Sequence, residues 1–237
     1  MTKRAAPPGS GDDRKRRAAE RPGLNRERVL RAALDLADAR GLDALSMRTL
    51  AQSLGVEAMS LYNHVQNKDD LLLGMLDLVV AEIALPVVGG AWQEEMRRRA
   101  MSAHAQLMKH PWATMLIVSR VNVGPYMLRY VDSTVGCLME AGFSVARADH
   151  IWNTLDSYIY GFTLYRLNFP YRPEEYVAAA TTFLPMIPQD KYPYMYHMSV
   201  GLIAGEHNGV TNFEFGLDAL LDGLARLAER EKMHSHA

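Results

Sequence analysis

The sequence contains one cysteine, Cys137, among 237 residues. A lone cysteine cannot form an intramolecular disulfide, so nothing in the chain requires an oxidising compartment. Long apolar runs are also missing, because the most apolar stretch, MLDLVVAEIALPVV, is interrupted by Asp77, Glu82 and Pro86. The start of the chain, MTKRAAPPGSGDDRKRR, lacks the apolar core of a secretory signal. These absences predict a cytoplasmic protein with no membrane partner.

Common catalytic motifs are absent as well. The sequence has no H-E-x-x-H, no G-x-S-x-G, no paired cysteines and no glycine-rich phosphate loop. The pair Asp149-His150 and the triplet Glu206-His207-Asn208 stand isolated. We therefore predict no catalytic residue, no metal site and no cofactor, and an enzyme in the C-terminal part stays the less favoured alternative.

Positive charge is concentrated at one end of the chain. Residues 1–68 hold 13 Lys and Arg against 8 Asp and Glu, whereas the remainder holds 13 against 19. A net charge of +5 joined to one of -6 indicates a polyanion partner for the front part alone. Residues 1–23 are predicted to be a disordered basic arm, in which RKRR (14–17) is either a solvated tail or a contact to DNA phosphates.

The spacing of apolar residues predicts an all-α fold, because no alternating strand or hairpin signal is present. Four front helices are expected, with Gly41 ending the first, Ser46 capping the second, Gly55 ending it and Asn67 capping the fourth. The fourth runs through LLLGMLDLVVAEIAL to a linker at Pro86. Further helices are expected at 92–109, 111–119, 125–141, 147–168, 173–182 and 211–231. Segment 183–210 is predicted to be loop with one possible helix.

Two short helices joined by a glycine predict a helix-turn-helix over residues 24–70. Because Val56, Leu61 and Val65 are spaced to face inward, the third helix turns a row of short or planar polar groups outward, suited to bases and phosphates. The alternative is a small surface helix with incidental polar residues. Residues 71–88 are assigned as connecting helix and linker, and 89–237 as a larger C-terminal domain for ligand binding and dimerisation.

The stretch LSMRTLAQSLGVEAMSLYNHVQNKDDLL resembles the DNA-binding domain of the TetR family of regulators. WQEEMRRRAMS, KHPW, AGFS and FEFGLDALLDGL are similar to the C-terminal body of the tetracycline-repressor branch. The resemblance implies that Arg48 contacts a base, that Lys68 contacts the DNA backbone, and that an operator different from that of the tetracycline repressor is read. The full predicted DNA-binding set is Arg48, Thr49, Ala58, Met59, Ser60, Tyr62, Asn63, His64 and Lys68.

Two apolar helix faces predict a homodimer. They are 147–168, with Ile151, Leu155, Ile159 and Phe162, and 211–231, with Phe213, Leu217, Leu220, Leu221 and Leu224. The family resemblance places a four-helix dimer interface here. The alternative is that these side chains form core within one chain.

Aromatic, Met and polar residues between 101 and 170 predict a cavity for a small, largely apolar effector, with ordinary core packing as the alternative. The predicted lining is His104, His110, Trp112, Met115, Asn122, Met127, Trp152, Asp156, Tyr160 and Tyr165. His110 lies near the position where the tetracycline repressor offers a histidine to drug-bound magnesium. However, the histidine before the linker is missing, and Arg98 and Arg99 stand where that branch has an amide, so tetracycline is predicted to be a poor effector.

These features together predict a repressor that binds palindromic double-stranded operator DNA as a homodimer and is released by its effector. A DNA-binding regulator without a ligand, with a structural or activating role, is the alternative.

Overall fold

The structure, a computed structural model, describes residues 23–209 and 212–234, and the side chains as far as residue 229. Helices and turns make up these ranges, without a strand, so the predicted all-α fold is confirmed. The predicted basic arm lies almost wholly outside the described residues. The α-helices are α1 (Arg26–Arg40), α2 (Met47–Leu54), α3 (Ala58–Leu61), α4 (Lys68–Ala81), α5 (Trp92–Lys109), α6 (Pro111–Ser119), α7 (Pro125–Glu140), α8 (Val145–Asn168), α9 (Tyr176–Phe183), α10 (Pro193–Ile203) and α11 (Phe213–His234).

Side-chain caps fix the starts of the front helices. The Asn25 carboxamide accepts a hydrogen bond from the backbone of Arg28, and Asn67 does the same for Asp70 at the start of α4. The Ser46 side chain accepts a hydrogen bond from the backbone of Thr49 at the start of α2, and the Thr49 side chain accepts one from the backbone of Ser46. Each cap satisfies an amide that the helix cannot pair internally. The predicted caps Ser46 and Asn67 are therefore confirmed.

The third helix is shorter than its apolar spacing predicts. It makes one turn, and Glu57 offers no side-chain cap at its start. Beyond Leu61 the chain continues in tight turns, in which the backbone of His64 and of Val65 both bond to the Leu61 carbonyl. Leu61 and Val65 are nonetheless buried in the same apolar core as residues of α1 and α2, so tertiary packing holds this segment in place of a regular helix.

The connecting helix α4 links the front bundle to the C-terminal body. Its buried face carries Leu72, Met75, Leu76, Val79 and Val80. The helix ends at Ala81, earlier than the predicted LLLGMLDLVVAEIAL, and the chain then turns through the linker to α5. In the body, α5 packs on α8 and α11, whereas α7 packs on α4 and α8.

The body helices match the predicted ranges to within a few residues, with two differences. Helix α8 begins at Val145 because Ser144 caps it, two residues before the predicted start. The predicted helix 173–182 is a 3-10 turn at Pro173–Glu175 followed by α9. The single helix allowed in 183–210 is α10, which Pro193 opens, and α9 and α10 pack mainly on each other.

The apolar faces assigned to the dimer interface lie inside the single chain, as the alternative held. Ile151, Leu155 and Ile159 of α8 are fully buried against neighbouring helices, as is Leu217 of α11. An apolar helical face must be covered, but its period does not specify whether the cover comes from the same chain. The assignment of these four side chains to the interface is therefore wrong, and the less buried positions of the two helices, such as Leu220, remain available.

Candidate functional sites

Helices α2 and α3 have one face buried in the protein and another face exposed. Leu50 and Ala51 of α2 are buried, and Leu61 of α3 is buried beside them. Helical geometry then turns their neighbours outward. Met59 is 75% exposed and Tyr62 46% exposed. Of the remaining predicted DNA-binding side chains, those of Arg48, Asn63 and Lys68 are exposed, and those of Thr49, Ala58, Ser60 and His64 are half-buried.

Thr49 lies in the predicted surface, but its hydroxyl is engaged within the protein. It accepts the Ser46 backbone amide at 2.9 Å and donates to the Ala44 carbonyl at 2.9 Å. These bonds orient the first turn of α2, on which Arg48 stands. A DNA contact by Thr49 itself stays a prediction.

Arg26 is a part of this surface that the sequence analysis missed. Its guanidinium donates to the His64 carbonyl at 2.8 Å and to both oxygens of the Asp70 carboxylate. Asp70 also accepts the Gln66 backbone amide at 2.8 Å. Because of the Arg26 hydrogen bond, the pKa of Asp70 is lowered from its usual value. The pair ties α1 and α4 to the turn after α3, and so fixes the orientation of the exposed row.

A cavity of about 630 Å³ opens between α6, α7 and α8 in the body. Five predicted residues line it, and so do Tyr130 and Arg120, which the sequence analysis missed. This volume falls in the range of small-molecule sites. The five predicted residues that line it are Asn122, Met127, Trp152, Asp156 and Tyr160.

A group of buried or partly buried charged and polar side chains lies behind one wall of this cavity. We call this group the Arg99 cluster (Arg99, Tyr130, Asp156 and Tyr160). Arg99 is completely buried and donates to Asp156 at 2.5 Å. The other Asp156 oxygen accepts the indole N–H of Trp152 at 2.7 Å and the Tyr160 hydroxyl at 3.1 Å. Burial alone would lower the pKa of Arg99, but Tyr130 and Asp156 raise it on balance, so the guanidinium stays charged.

The other predicted lining residues lie outside this cavity, and their part in effector binding stays a prediction. His104 donates to or accepts from the Thr163 hydroxyl at 2.8 Å and stacks on Phe213, where burial, followed by the charge of Arg166, lowers its pKa. Met115 is 56% exposed on the outer face of α6. Neither side chain lines the cavity, which a count of residue types could not reveal.

His110 and Trp112 are turned toward the front bundle and form an interdomain contact. The carboxylate of Asp38, on α1, lies 2.9 Å from His110 Nδ1 and accepts the Trp112 indole N–H at 2.6 Å. His110 is 2% exposed. The histidine that the sequence associated with a magnesium position thus contacts the first helix and does not line the cavity.

Tyr165 lines a second cavity, of about 510 Å³, between the end of α8 and the α9–α10 hairpin. Its wall is mostly aromatic and apolar, with Phe169, Phe183 and Met198. It shares no lining residue with the first cavity.

Within 23–209 and 212–234, no three His, Cys, Asp or Glu side chains gather in a way that could hold a metal ion. No helix in those ranges has the length and apolarity needed to cross a membrane.

Comparison with known families identifies the class of protein. Residues 29–75 match the family described as bacterial regulatory proteins, tetR family, and residues 85–228 match the tetracyclin repressor-like C-terminal domain. Because the second match covers more than half of the chain, the chain belongs to the TetR family, and the predicted resemblance is confirmed.

Relatives and solved structures agree with this assignment. An HTH-type transcriptional regulator of Saccharopolyspora erythraea is 35% identical over 142 residues, which are 60% of each chain, so less than two thirds of that regulator is spanned. The class D tetracycline repressor protein of Escherichia coli is 30% identical over 207 residues, covering 84% of this chain and 88% of the repressor. The crystal structure of ActR from Streptomyces coelicolor in complex with actinorhodin is similar with a TM-score of 0.73 at 28% identity, over 85% of this chain and 95% of ActR.

Proposed function

We propose that the chain is a transcriptional repressor that binds palindromic operator DNA as a homodimer and is released by a small, largely apolar effector. The observation that carries this proposal is the exposed surface of Arg48, Met59, Tyr62 and Asn63, anchored from behind by a separate buried face. A short helix with one buried face and one exposed polar face can enter the major groove of DNA. Relatives named as repressors support the repressor role.

The cavity supports the part of the proposal that concerns an effector. ActR, a structural relative, has been solved in complex with actinorhodin. In this chain the cavity lies against α7, which packs on α4, and α4 begins at Lys68 beside the DNA-contacting surface. A ligand shifts the equilibrium only through its different affinity for the DNA-competent and incompetent forms, typically by about 1–3 kcal/mol.

Three contacts form the proposed route from cavity to DNA. The first is the packed body of α4, which the sequence assigned as the connecting helix. The second is the Asp38 carboxylate, which holds His110 and Trp112 against α1. The third is the buried carboxylate of Asp77 on α4, which accepts the backbone amide of Met127 at the start of α7 at 2.8 Å. An effector that moves α6 or α7 therefore acts on α1 and α4 directly.

Operator selection from random duplexes tests the DNA-binding part. The full chain is expected to enrich a two-fold palindrome, since a symmetric dimer reads two equivalent half-sites. Arg48→Ala should cost roughly 1–3 kcal/mol and relax selectivity at one base pair in each half-site. Lys68→Ala should weaken all sequences alike and lower the salt slope by about 1.

Lys109→Ala is the matched control, because Lys109 lies at the end of α5 and pairs with Glu82 of the connecting segment at 2.8 Å. It should leave the selected sequence and the salt dependence unchanged. If Arg48→Ala and Lys68→Ala both bind the selected duplex as tightly as the wild type, the DNA-contacting surface is assigned wrongly.

The effector part is tested by gel shift with the selected operator and a panel of uncharged hydrophobic compounds, with tetracycline–magnesium included. We expect release by members of the hydrophobic set and none by tetracycline–magnesium, because Arg99 is already bonded to Asp156 where the tetracycline branch offers an amide. Release by tetracycline–magnesium alone at low micromolar concentration would contradict the proposed cavity. Release by nothing would favour a regulator without a ligand.

A further inference from the structure

The second cavity, between the end of α8 and the α9–α10 hairpin, is lined by a group of aromatic rings. Five rings line it, and each has its centroid within 6.4 Å of the centroid of at least one other. We call them the aromatic wall (Tyr165, Phe169, Tyr171, Tyr176 and Phe183). Two methionines of α10 add polarisable thioethers to the lining, Met195 and Met198. Because the face of an aromatic ring carries partial negative charge, such a lining attracts a cation.

No fixed positive charge opposes a cation in this cavity. Among the described residues that line it, none is Lys, Arg, Asp or Glu. His207 lines it as a neutral imidazole, because its Nδ1 accepts the backbone amide of Gly209 at 3.2 Å and its Nε2 donates to the Met198 carbonyl at 3.0 Å. Arg166 of α8 does not line the cavity, and its charge acts on His104, whose pKa is lowered first by burial and then by Arg166.

The charge of the surrounding chain also has the sign that suits a cation. Residues 169–209 contain two basic side chains, Arg172 and Lys191, against four acidic ones, so their net charge is -2. The acidic side chains are Glu174, Glu175, Asp190 and Glu206. The carboxyl end of α8 adds a partial negative charge, since Tyr165 in its last turn and Phe169 at its end both line the cavity.

A ligand can reach this cavity from solvent. Phe183 is 42% exposed, Met195 50% and Met198 56%. The Tyr176 hydroxyl is buried and has no hydrogen-bond partner among the described residues, so a ligand meets the ring of Tyr176 and not its hydroxyl. The volume of about 510 Å³ is in the range of small-molecule sites and accommodates a cation with an apolar substituent.

The polar groups of the lining distinguish between kinds of cation. A primary ammonium brings N–H groups that need hydrogen-bond acceptors once they lose their hydration. The described lining holds no carboxylate, and the Ser199 hydroxyl already donates to the Met195 carbonyl at 3.0 Å. A quaternary ammonium has no N–H group to satisfy, and its methyl groups can pack against ring faces.

We infer that this cavity is a second ligand site, separate from the proposed effector cavity, and that it binds quaternary ammonium compounds with an aromatic substituent. The aromatic wall holds the charged methyl groups, and the thioethers and aliphatic side chains cover the substituent. The two cavities share no lining residue, although α8 contributes to both. The inference does not depend on the proposed function, because binding is measured without DNA.

A pair of probes, 3-hydroxyphenyltrimethylammonium and 3-tert-butylphenol, isolates the charge, because the two molecules have the same shape and differ in a positive nitrogen against a carbon. Equilibrium dialysis of the full chain at mildly acidic pH, where both phenols keep their protons, should show the cation bound at least about twofold more tightly. A cavity that attracts only apolar surface would bind the neutral compound more tightly, since that compound is the less hydrated of the two.

Phe183→Leu removes one ring from the aromatic wall and keeps an apolar side chain. It should lower the affinity for the cation about two- to fivefold, the effect of one ring, and leave the affinity for the neutral compound nearly unchanged. Phe215→Leu is the matched control, because it makes the same change at a ring of α11 that is 73% exposed and lines neither cavity. It should bind both probes as the wild type does.

Ala180→Met places both probes in this cavity, because Ala180 lines it and a longer side chain there takes up its space. Both affinities should fall, and a thermal melt verifies that each variant is folded. Tighter binding of 3-tert-butylphenol than of the cation, or binding of neither probe by the wild type, overturns the inference. So does a cation affinity that survives Ala180→Met, or one that Phe215→Leu lowers as much as Phe183→Leu. If Phe183→Leu does not fold, the wild type and Ala180→Met still decide.

Discussion

Asp70 accepts hydrogen bonds from two separate segments at the edge of the proposed DNA-contacting surface. Arg26 donates to both of its oxygens, and the Gln66 backbone donates to one of them. The carboxylate is one-quarter exposed and the guanidinium about one-half, so solvent screens the pair. A pair of this kind contributes about 0.2–1 kcal/mol. The pair matters because of where it lies: Arg26 also donates a hydrogen bond to the backbone carbonyl of His64, in the turn after α3.

The lowered pKa of Asp70 makes its contribution pH-dependent. A carboxylate whose pKa is lower in the folded than in the unfolded state stabilises the fold above the unfolded pKa, near 4, and loses that effect as pH falls through the folded value. Urea unfolding of wild type and Asp70→Asn at pH 7 and pH 3 should therefore show a smaller loss of stability in the variant.

Glu27→Gln serves as the control, since the Glu27–Arg31 pair is exposed at both ends and does not include Asp70 or Arg26. It should follow the wild type at both pH values. Equal pH dependence of Asp70→Asn and wild type would mean that Arg26 does not stabilise the charged form of Asp70.

At the residue scale, sequence predicted what local spacing decides. The exposure of Met59, Tyr62 and Asn63 followed from the burial of Leu61 and Val65, all within a few residues. Arg26 and Arg99 escaped prediction, because their partners Asp70 and Asp156 lie 44 and 57 residues away. The sequence around a charged residue does not show which distant residue will form an ion pair with it in the fold.

Helices α4 and α7 are joined by a cap in which the capping residue belongs to the other helix. Asp77 of α4 is 6% exposed, and its carboxylate accepts the amides of Tyr126 and Met127 at 3.3 and 2.8 Å. These are amides of the first turn of α7, which have no partner within the helix. Gly124, just before α7, lies so close that an added Cβ would overlap the Asp77 carboxylate.

Gly124→Ala should consequently push Asp77 away from the first turn of α7. The overlap and the weakened cap together should cost about 1–3 kcal/mol of the free energy of unfolding. Gly161→Ala in α8 is the matched control, because no atom lies within 4 Å of its added Cβ. It should be neutral or gain up to about 1 kcal/mol from helix propensity. Chemical denaturation compares the two, and equal stability of both variants would contradict the close contact.

At the element scale, the sequence predicted helices with strong start signals and missed those set by packing. Asn67 and Ser46 mark helix starts by their side chains, which act locally. The end of α4 at Ala81 has no glycine or proline beside it, and α3 has no side-chain cap. Their lengths depend on neighbouring helices, which a linear pattern does not contain.

For the whole molecule, the proposed dimer needs a face that the single chain leaves open. Helix α11 has such a face beside its buried one, with Leu220, Gly223 and Leu224 half-buried and Leu227 46% exposed. Glycine within this face lets a second backbone approach closely. The opposite side of α11 is charged, with Asp218 paired to Arg97 at 2.8 Å.

Leu227→Glu should weaken this association, because it adds a charge to an apolar contact between subunits. Light scattering of the wild type at micromolar concentration should give twice the chain mass of 26.5 kDa, and the variant should shift toward the single mass. Arg226→Glu introduces the same side chain at the adjacent exposed position on the charged side, and should stay dimeric. A wild-type mass of 26.5 kDa, or a variant mass equal to that of the wild type, would contradict this interface.

The brevity of α3 bears on how such a protein acquires new targets. The side chains that hold this single turn, Leu61 and Val65, are distinct from those it exposes, Met59, Tyr62 and Asn63. Replacing an exposed member removes little packing, and surface substitutions of this kind usually change stability by less than about 0.5 kcal/mol. With the proposed DNA-binding role of these side chains, single mutations can retarget the protein to a different promoter without a loss of foldability, and gene duplicates of this architecture can diverge in the genes they control while their interior stays the same.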